Sequence, residues 1–315
     1  MGNSVQAIIS FYKFVDLTDL IQLRTQLREL TTQYCLKGTI LLAKEGINGS
    51  IAGLEDDVIS FQNAMTKDPR FADLWFKKSE YSGVSFRRML VKIKKEIITM
   101  GLDGRESLKM TGRYLDPLEL KRWLDEKRDI LLIDTRNDYE CEMGSFQTAI
   151  NPNIKTFGAF PQWVNDHLAD KKDQPIVTFC TGGIRCEKAT TYMRYQGFKN
   201  VYQLRGGILN YFEQLKETEA NTTHWQGELV VFDKRKAITP TLEHSNKNIC
   251  YVCLCEIEAS AKFHTTEAGN ACEQCQNKMQ KFQLVRTERG LLKQQVFNQR
   301  RQEWRSKRSA QGHQG

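Results

Sequence analysis

Cys180-Thr181-Gly182-Gly183-Ile184-Arg185 is the stretch whose residue types and spacing could do chemistry. A cysteine becomes a nucleophile or a sulfur carrier when its thiol ionises, and the surrounding pattern favours ionisation. The apolar run over 176–179 predicts a strand that ends at the cysteine, and 186–196 predicts a helix, so loop amides and the positive helix end face the sulfur. Gly182 and Gly183 let those amides curl around an anion without Cβ clashes. Arg185 adds a permanent positive charge. A cysteine that only packs at a strand end needs none of these features. The pattern therefore assigns catalytic roles to Cys180 and Arg185 and an anion cradle to Thr181, Gly182, Gly183 and Ile184.

Two nearby residues receive plainer readings. Cys186 is close enough in sequence to act as a resolving thiol, but in the first turn of a helix it reads as a small buried residue facing away from the loop centre. Asp134 closes another apolar run, 130–133, and reads as a turn cap rather than a catalytic group.

A second cluster lies near the C-terminus. Cys250 and Cys253 form one CxxC pair, Cys272 and Cys275 another, with eighteen residues between them. Two short turns that each present two thiolates suit a tetrahedral Zn2+ site, which would fold a segment poor in apolar residues. Cys255 or His264 could replace one ligand, and cysteines without metal remain the other reading, since neither turn carries a glycine.

The elements that must position these groups follow from periodicity. Residues 7–11 form an apolar run, Leu20, Leu23, Leu27 and Leu30 recur at helical spacing, and strands at 39–43 and 49–52 flank a turn-rich link. Asp56 and Asp57 open a second helix carrying Val58, Phe61 and Met65, and 89–94 alternates as a strand. The order βαββαβ implies a ferredoxin-like α+β domain, a fold that hosts too many activities to name one. Asp116-Pro117 starts a helix, with the aspartate as cap. Continuous apolar runs at 130–133 and 176–179 with helices between them indicate a parallel sheet whose strand ends face a ligand.

At 315 residues the chain can hold two or three domains. It shows no apolar run long enough for a membrane span and no zones of a signal peptide, and Gln6 argues against myristoylation at Gly2. The nine cysteines read as reduced thiols and the location as cytoplasmic. Net charge is +8, and ten lysines and arginines from Gln276 onward, against Glu288 and Glu303, account for all of it. Arg300, Arg301, Arg305, Lys307 and Arg308 surround Trp304, which suits a polyanion with bases to stack, though a solvated or disordered end reads equally well. Lys92, Lys94 and Lys95 are further candidates for a polyanion, or equally the solvated side of an ordinary sheet.

The loop of a cysteine, four residues and an arginine resembles the rhodanese family, whose related phosphatases have a loop one residue longer. Leu131-Leu132-Ile133-Asp134-Thr135-Arg136 followed by Glu140, and Leu204-Arg205-Gly206-Gly207-Ile208 before Tyr211 and Phe212, match the same family. Glu45-Gly46-Ile47-Asn48-Gly49, Val91-Lys92-Ile93-Lys94-Lys95-Glu96-Ile97, Trp225, Gly227-Glu228 and Val231-Phe232-Asp233 extend the resemblance, end to end, to the rhodanese-domain tRNA uridine hydroxylases. It implies an α/β rhodanese domain, a parallel sheet with helices on both faces, preceded by the ferredoxin-like domain and followed by a small Cys-rich segment. The expected boundaries are 1–110, 111–216, a connecting segment 217–249, a Cys-rich segment 250–280 and a basic tail 281–315.

The implied activity is oxygen-dependent C5 hydroxylation of the wobble uridine in tRNA, with Cys180 as the essential sulfur, molecular oxygen as co-substrate and tRNA as partner. No flavin or nicotinamide fingerprint and no iron-binding triad is evident. A sulfurtransferase carrying a persulfide on Cys180 is the alternative enzyme, and a silent tRNA-binding protein the alternative outside catalysis. Oligomeric state is left open.

Overall fold

The computed structural model describes residues 5–82, 85–101, 111–218, 223–233, 235–250, 252–253, 255–258, 260–266 and 269–280. The basic tail 281–315 lies outside the described residues. The chain divides into two units, Met1–Asn246 and Lys247–Gly315.

The first unit opens with β1 (Val5–Phe14), α1 (Leu20–Gln33), β2 (Lys37–Ala43), β3 (Gly46–Gly53), α2 (Glu55–Met65), β4 (Phe76–Ser82) and β5 (Met89–Ile93). Their sheet runs in the order β4-β1-β3-β2-β5. Strand alternation sends Ile9 and Phe11 into a core with Leu23 and Leu27 of α1 and Val58, Phe61 and Met65 of α2. The same alternation turns Ser10 and Tyr12 to the opposite face, and Lys77 joins them because its Cα is registered against Ser10.

One strand assignment is corrected. The run 89–94 was expected to close the βαββαβ order, but β4 takes that place beside β1, and β5 adds parallel to β2 at the other edge. The sequence Phe-Lys-Lys-Ser-Glu-Tyr-Ser has no apolar run; it becomes a strand by pairing with β1, and its Phe76 packs on the first core. The β2–β3 link needs glycine: Gly46 has φ +145°, and a Cβ there would lie 2.0 Å from the Lys13 carbonyl oxygen. Lys92, Lys94 and Lys95 are exposed.

The second half of this unit contains β6 (Arg113–Leu115), α3 (Pro117–Asp125), β7 (Leu131–Asp134), α4 (Asp138–Met143), β8 (Gly144–Phe146), α5 (Phe160–His167), β9 (Ile176–Phe179), α6 (Ile184–Tyr195), β10 (Val201–Leu204) and α7 (Gly207–Glu217). The parallel sheet has the order β6-β10-β9-β7. Every residue of β9 is buried, because both faces are covered. Val177 and Phe179 pack with Leu120 of α3 and Ile208, Tyr211 and Phe212 of α7. Ile176 packs instead with Phe160 and Val164 of α5 and Ala189 and Met193 of α6. Asp116 caps α3 as its position suggested, accepting from the Leu118 amide at 3.0 Å.

After α7 the chain adds β11 (Trp225–Gly227), paired with β8, and the short pair β12 (Leu229–Val230) and β13 (Ala237–Ile238). Trp225 sits edge-on to Phe146 and Phe212, which ties the segment to the parallel-sheet core. The second unit holds the hairpin β14 (Phe263–Thr266) and β15 (Gly269–Cys272) beside a small cluster of Cys250, Ile257 and Cys275. Among the described residues no helix is long and apolar enough to cross a membrane.

Candidate active site

Cys180 follows the last residue of β9, and α6 begins four residues later, so the strand, loop and helix arrangement expected from the sequence is present. Gly183 is the N-cap of α6 with φ +97°, a conformation that favours glycine, and its amide donates to Cys180 Sγ at 3.1 Å. Cys180 is only 1% exposed. Burial alone would push its thiol up, but a hydrogen bond from Cys186, the Arg185 guanidinium and the amides of Arg185 and Gly183 bring it down to about 6.

The loop keeps this geometry because its carbonyls are held elsewhere. Ile208 and Leu209, in the first turn of α7, donate their amides to the carbonyls of Cys180 and Thr181 at 3.0 and 3.1 Å. Gly207 must be glycine for that approach, since a Cβ on it would lie 2.5 Å from the Cys180 carbonyl oxygen. The Gly182 and Gly206 carbonyls both accept from Lys77 Nζ, which reaches in from β4. Thr181 Oγ1 has no hydrogen-bond partner among the described residues.

Arg185 is buried and aligned by Glu140, with Nη1 2.8 Å from Oε2 and Nη2 donating to Oε1 at 3.1 Å. Glu140 is held in turn by the capping box of α4, in which it accepts from the Asn137 amide. Asp134 behaves as the turn cap expected of it: fully buried, it accepts from the amide and guanidinium of Arg136 and from Ser145. The reading of Cys186 is half corrected. It is fully buried, but its thiol meets Cys180 rather than facing away from the loop; burial and the Cys180 charge push it well up.

The N-terminal sheet forms the opposite wall. Tyr12 donates to Glu187 at 3.2 Å, and Glu187 also accepts from Tyr114 at 2.9 Å, Thr111 at 2.8 Å and Gln203 at 3.0 Å. Lys188 of α6 is buried between Glu45 at 2.9 Å and Glu96 at 2.6 Å, which fastens the sheet to the helix that follows the loop. A cavity of about 1520 Å3 lies between the walls and includes Cys180, Thr181, Gly182, Ile184 and Arg185 in its lining. Exposed Trp75, Tyr114 and Phe232 stand on its margin, each beside a cation: Lys77 over Trp75 at 4.8 Å, Arg205 over Tyr114 at 5.2 Å and Arg185 over Phe232 at 5.9 Å.

Lys77, Tyr12, Trp75 and Tyr114 carried no motif in the sequence. Only the pairing of β4 with β1 brings Lys77 to the loop. Phe232 and Glu140 were legible as matching residues, and their roles become visible only through Arg185.

In the second unit the sulfurs of Cys250, Cys253, Cys272 and Cys275 all lie within 4.8 Å of one another, whereas Cys255 is exposed and His264 is not part of the group. Cys253 and Cys272 Sγ are 3.8 Å apart, the edge length of about 3.8 Å that a tetrahedron of sulfurs around Zn2+ at about 2.3 Å requires. The amides of Val252 and Cys272 point at Cys250 Sγ at 3.4 and 3.3 Å, as suits a thiolate ligand.

Residues 6–97 match the UPF0176 acylphosphatase like domain and residues 116–214 the rhodanese-like domain. A tRNA uridine(34) hydroxylase of Bartonella quintana (strain Toulouse) is 44% identical over 273 residues, covering 86% of this chain and 88% of the relative. A tRNA uridine(34) hydroxylase of Bartonella bacilliformis is 42% identical over 281 residues, covering 89% and 91%. Among solved structures, a rhodanese-like domain from Anabaena sp. is 18% identical, with a TM-score of 0.29, over 37% of this chain and 80% of that one.

Proposed function

The chain belongs to the tRNA uridine(34) hydroxylase family, and on that premise we propose that it hydroxylates C5 of the wobble uridine in tRNA with Cys180 as the reacting sulfur. The observation that carries the reading is the cavity over the Cys180 loop, a space margined by exposed aromatic faces next to cations. A base taken out of its stack needs such faces, and the exposed Arg205 offers a charge to its phosphates.

The chemistry assigned to the chain is nucleophilic. The Cys180 thiolate adds to C6 of the uracil, the C5–C6 π electrons move into the C4 carbonyl, and C5 becomes an enolate carbon that an oxidant can attack. Molecular oxygen supplies the atom added at C5, and a two-electron reductant carries the second oxygen atom to water. Loss of the C5 proton and departure of Cys180 from C6 restore the ring. Arg185 and the Gly183 amide lower the cost of the free thiolate before addition and after departure. Cys250, Cys253, Cys272 and Cys275 would hold Zn2+ in a structural role, since four thiolates would leave it no place for substrate. A tRNA substrate places the work in the cytoplasm.

The test is Cys180→Ala in the full-length protein, expressed in a host deleted for the gene, with nucleosides from total tRNA read by mass spectrometry. Loss of 5-hydroxyuridine with thiolated bases intact and tRNA binding retained is expected. Intact hydroxyuridine with thiolated bases lost would make the protein a sulfurtransferase, and an unchanged nucleoside profile would leave it a binding protein.

A further inference from the structure

Lys77 is a buried cation at this site that no motif in the sequence accounts for. Its side chain leaves the N-terminal sheet on the face opposite the sheet's own core and enters the parallel-sheet half of the unit. It is 9% exposed. Its charge is met there by the carbonyls of Gly182 and Gly206 and by the face of Trp75, with no carboxylate paired to it among the described residues. Taking an ammonium out of water is costly, and a lysine that served only to join two domains would be better provided by a carboxylate, as Lys188 is by Glu45 and Glu96.

The arrangement makes sense through one peptide group. In a trans peptide the carbonyl and the following N–H point in opposite directions. Lys77 holds the Gly182 carbonyl, and the N–H at the other end of that peptide belongs to Gly183, which donates to Cys180 Sγ at 3.1 Å. The flanking carbonyls of Cys180 and Thr181 are already held by α7 amides, so the 182–183 plane is the part of the cradle whose orientation depends on a side chain. Both flanking residues are glycines, and without a restraint this plane could turn and bring a carbonyl oxygen toward the sulfur.

We propose that Lys77 is a positioning residue for Cys180: its ammonium fixes and polarises the Gly182–Gly183 peptide, so the N-terminal domain completes the thiolate site. The loop alone would then hold an ionised sulfur less well. The titratable groups facing Lys77 are Cys180, Glu213, Cys186 and Glu187, and burial nevertheless pulls its ammonium down to about 8. Those facing Cys180 are Cys186 and Arg185 on α6, Tyr12 on β1 and Lys77 itself.

The inference rests on Cys180 being the reacting sulfur, but its test reads thiolate chemistry without tRNA, so its failure is separable from failure of the hydroxylase reading. Full-length Lys77→Met and Lys77→Gln proteins, checked for folding by thermal melting, are alkylated with iodoacetamide across the pH range, and the rate at Cys180 is followed by peptide mass spectrometry. In both variants the alkylation midpoint is expected to rise, by about one pH unit for Lys77→Met, which is a reaction slower by roughly fivefold at pH 6 and roughly ninefold at pH 5. Gln keeps an N–H for the carbonyls but no charge, so its rise is the smaller. A midpoint equal to that of the unsubstituted protein in either folded variant, or a fall in either, overturns the proposal.

Discussion

Glu140 grips Arg185 through both carboxylate oxygens, at 2.8 and 3.1 Å, and neither side chain is more than 9% exposed. The guanidinium therefore reaches the Cys180 pocket in one orientation, set by a carboxylate that is itself held by the cap of α4. A pair buried this deeply contributes order more than net stability, because desolvation offsets most of its attraction.

Glu140→Gln leaves the guanidinium buried with a neutral partner. We expect a loss of about 3–5 kcal/mol in unfolding free energy, measured by urea denaturation of the full chain. A loss below about 1 kcal/mol would mean that solvent reaches Arg185 and that Glu140 does not hold it.

The depressed thiol gives a pH dependence of definite sign. The thiolate is the reactive form, so alkylation of Cys180 rises as pH increases through about 6 and is flat at neutral pH. An ordinary thiol would still be gaining rate near pH 8.5. A Cys180 midpoint in that higher range would contradict the role given to the loop amides and Arg185.

Trp75 and Phe232 are expected to stack against the extruded uridine. Stacking of one base on one ring is worth about 1–3 kcal/mol, so Phe232→Leu and Trp75→Leu should each raise KM for tRNA roughly five- to hundredfold. Steady-state kinetics with transcribed tRNA reads this directly, and unchanged KM in both variants would remove the aromatic margin from substrate binding.

The cysteine cluster predicts one Zn2+ per chain by elemental analysis of the purified protein. Cys272→Ser is expected to reduce that content by most of its value, while Cys255→Ser leaves it unchanged, because Cys255 lies outside the four-sulfur group. Equal content in both variants would point to a different ligand set.

Much of the site was legible before any coordinates, and the reason is local. The turn from β9 into α6 is made within one short stretch, so Cys180, the glycines and Arg185 declare the thiolate cradle through their own spacing. The CxxC pairs are legible for the same reason, since each turn presents its two sulfurs without help from distant residues. The last strand of the N-terminal sheet was misplaced because β4 is mostly polar, and its strand character comes from pairing with β1 rather than from its own pattern. Cys186 was turned the wrong way because helical phase from the sequence does not say how the first turn of α6 sits over the sulfur.

The order of the residues was enough to announce a sulfur site, a four-cysteine cluster, an α+β half and a parallel-sheet half, because hydrophobic period and short-range spacing are properties of neighbours along the chain. Packing alone chose what surrounds the sulfur. Tyr12, Trp75 and Lys77 lie more than 100 residues before Cys180, and nothing in their own neighbourhoods marks them. They meet it only when a sheet face without a core of its own closes over the loop, a long-range contact that leaves no period behind.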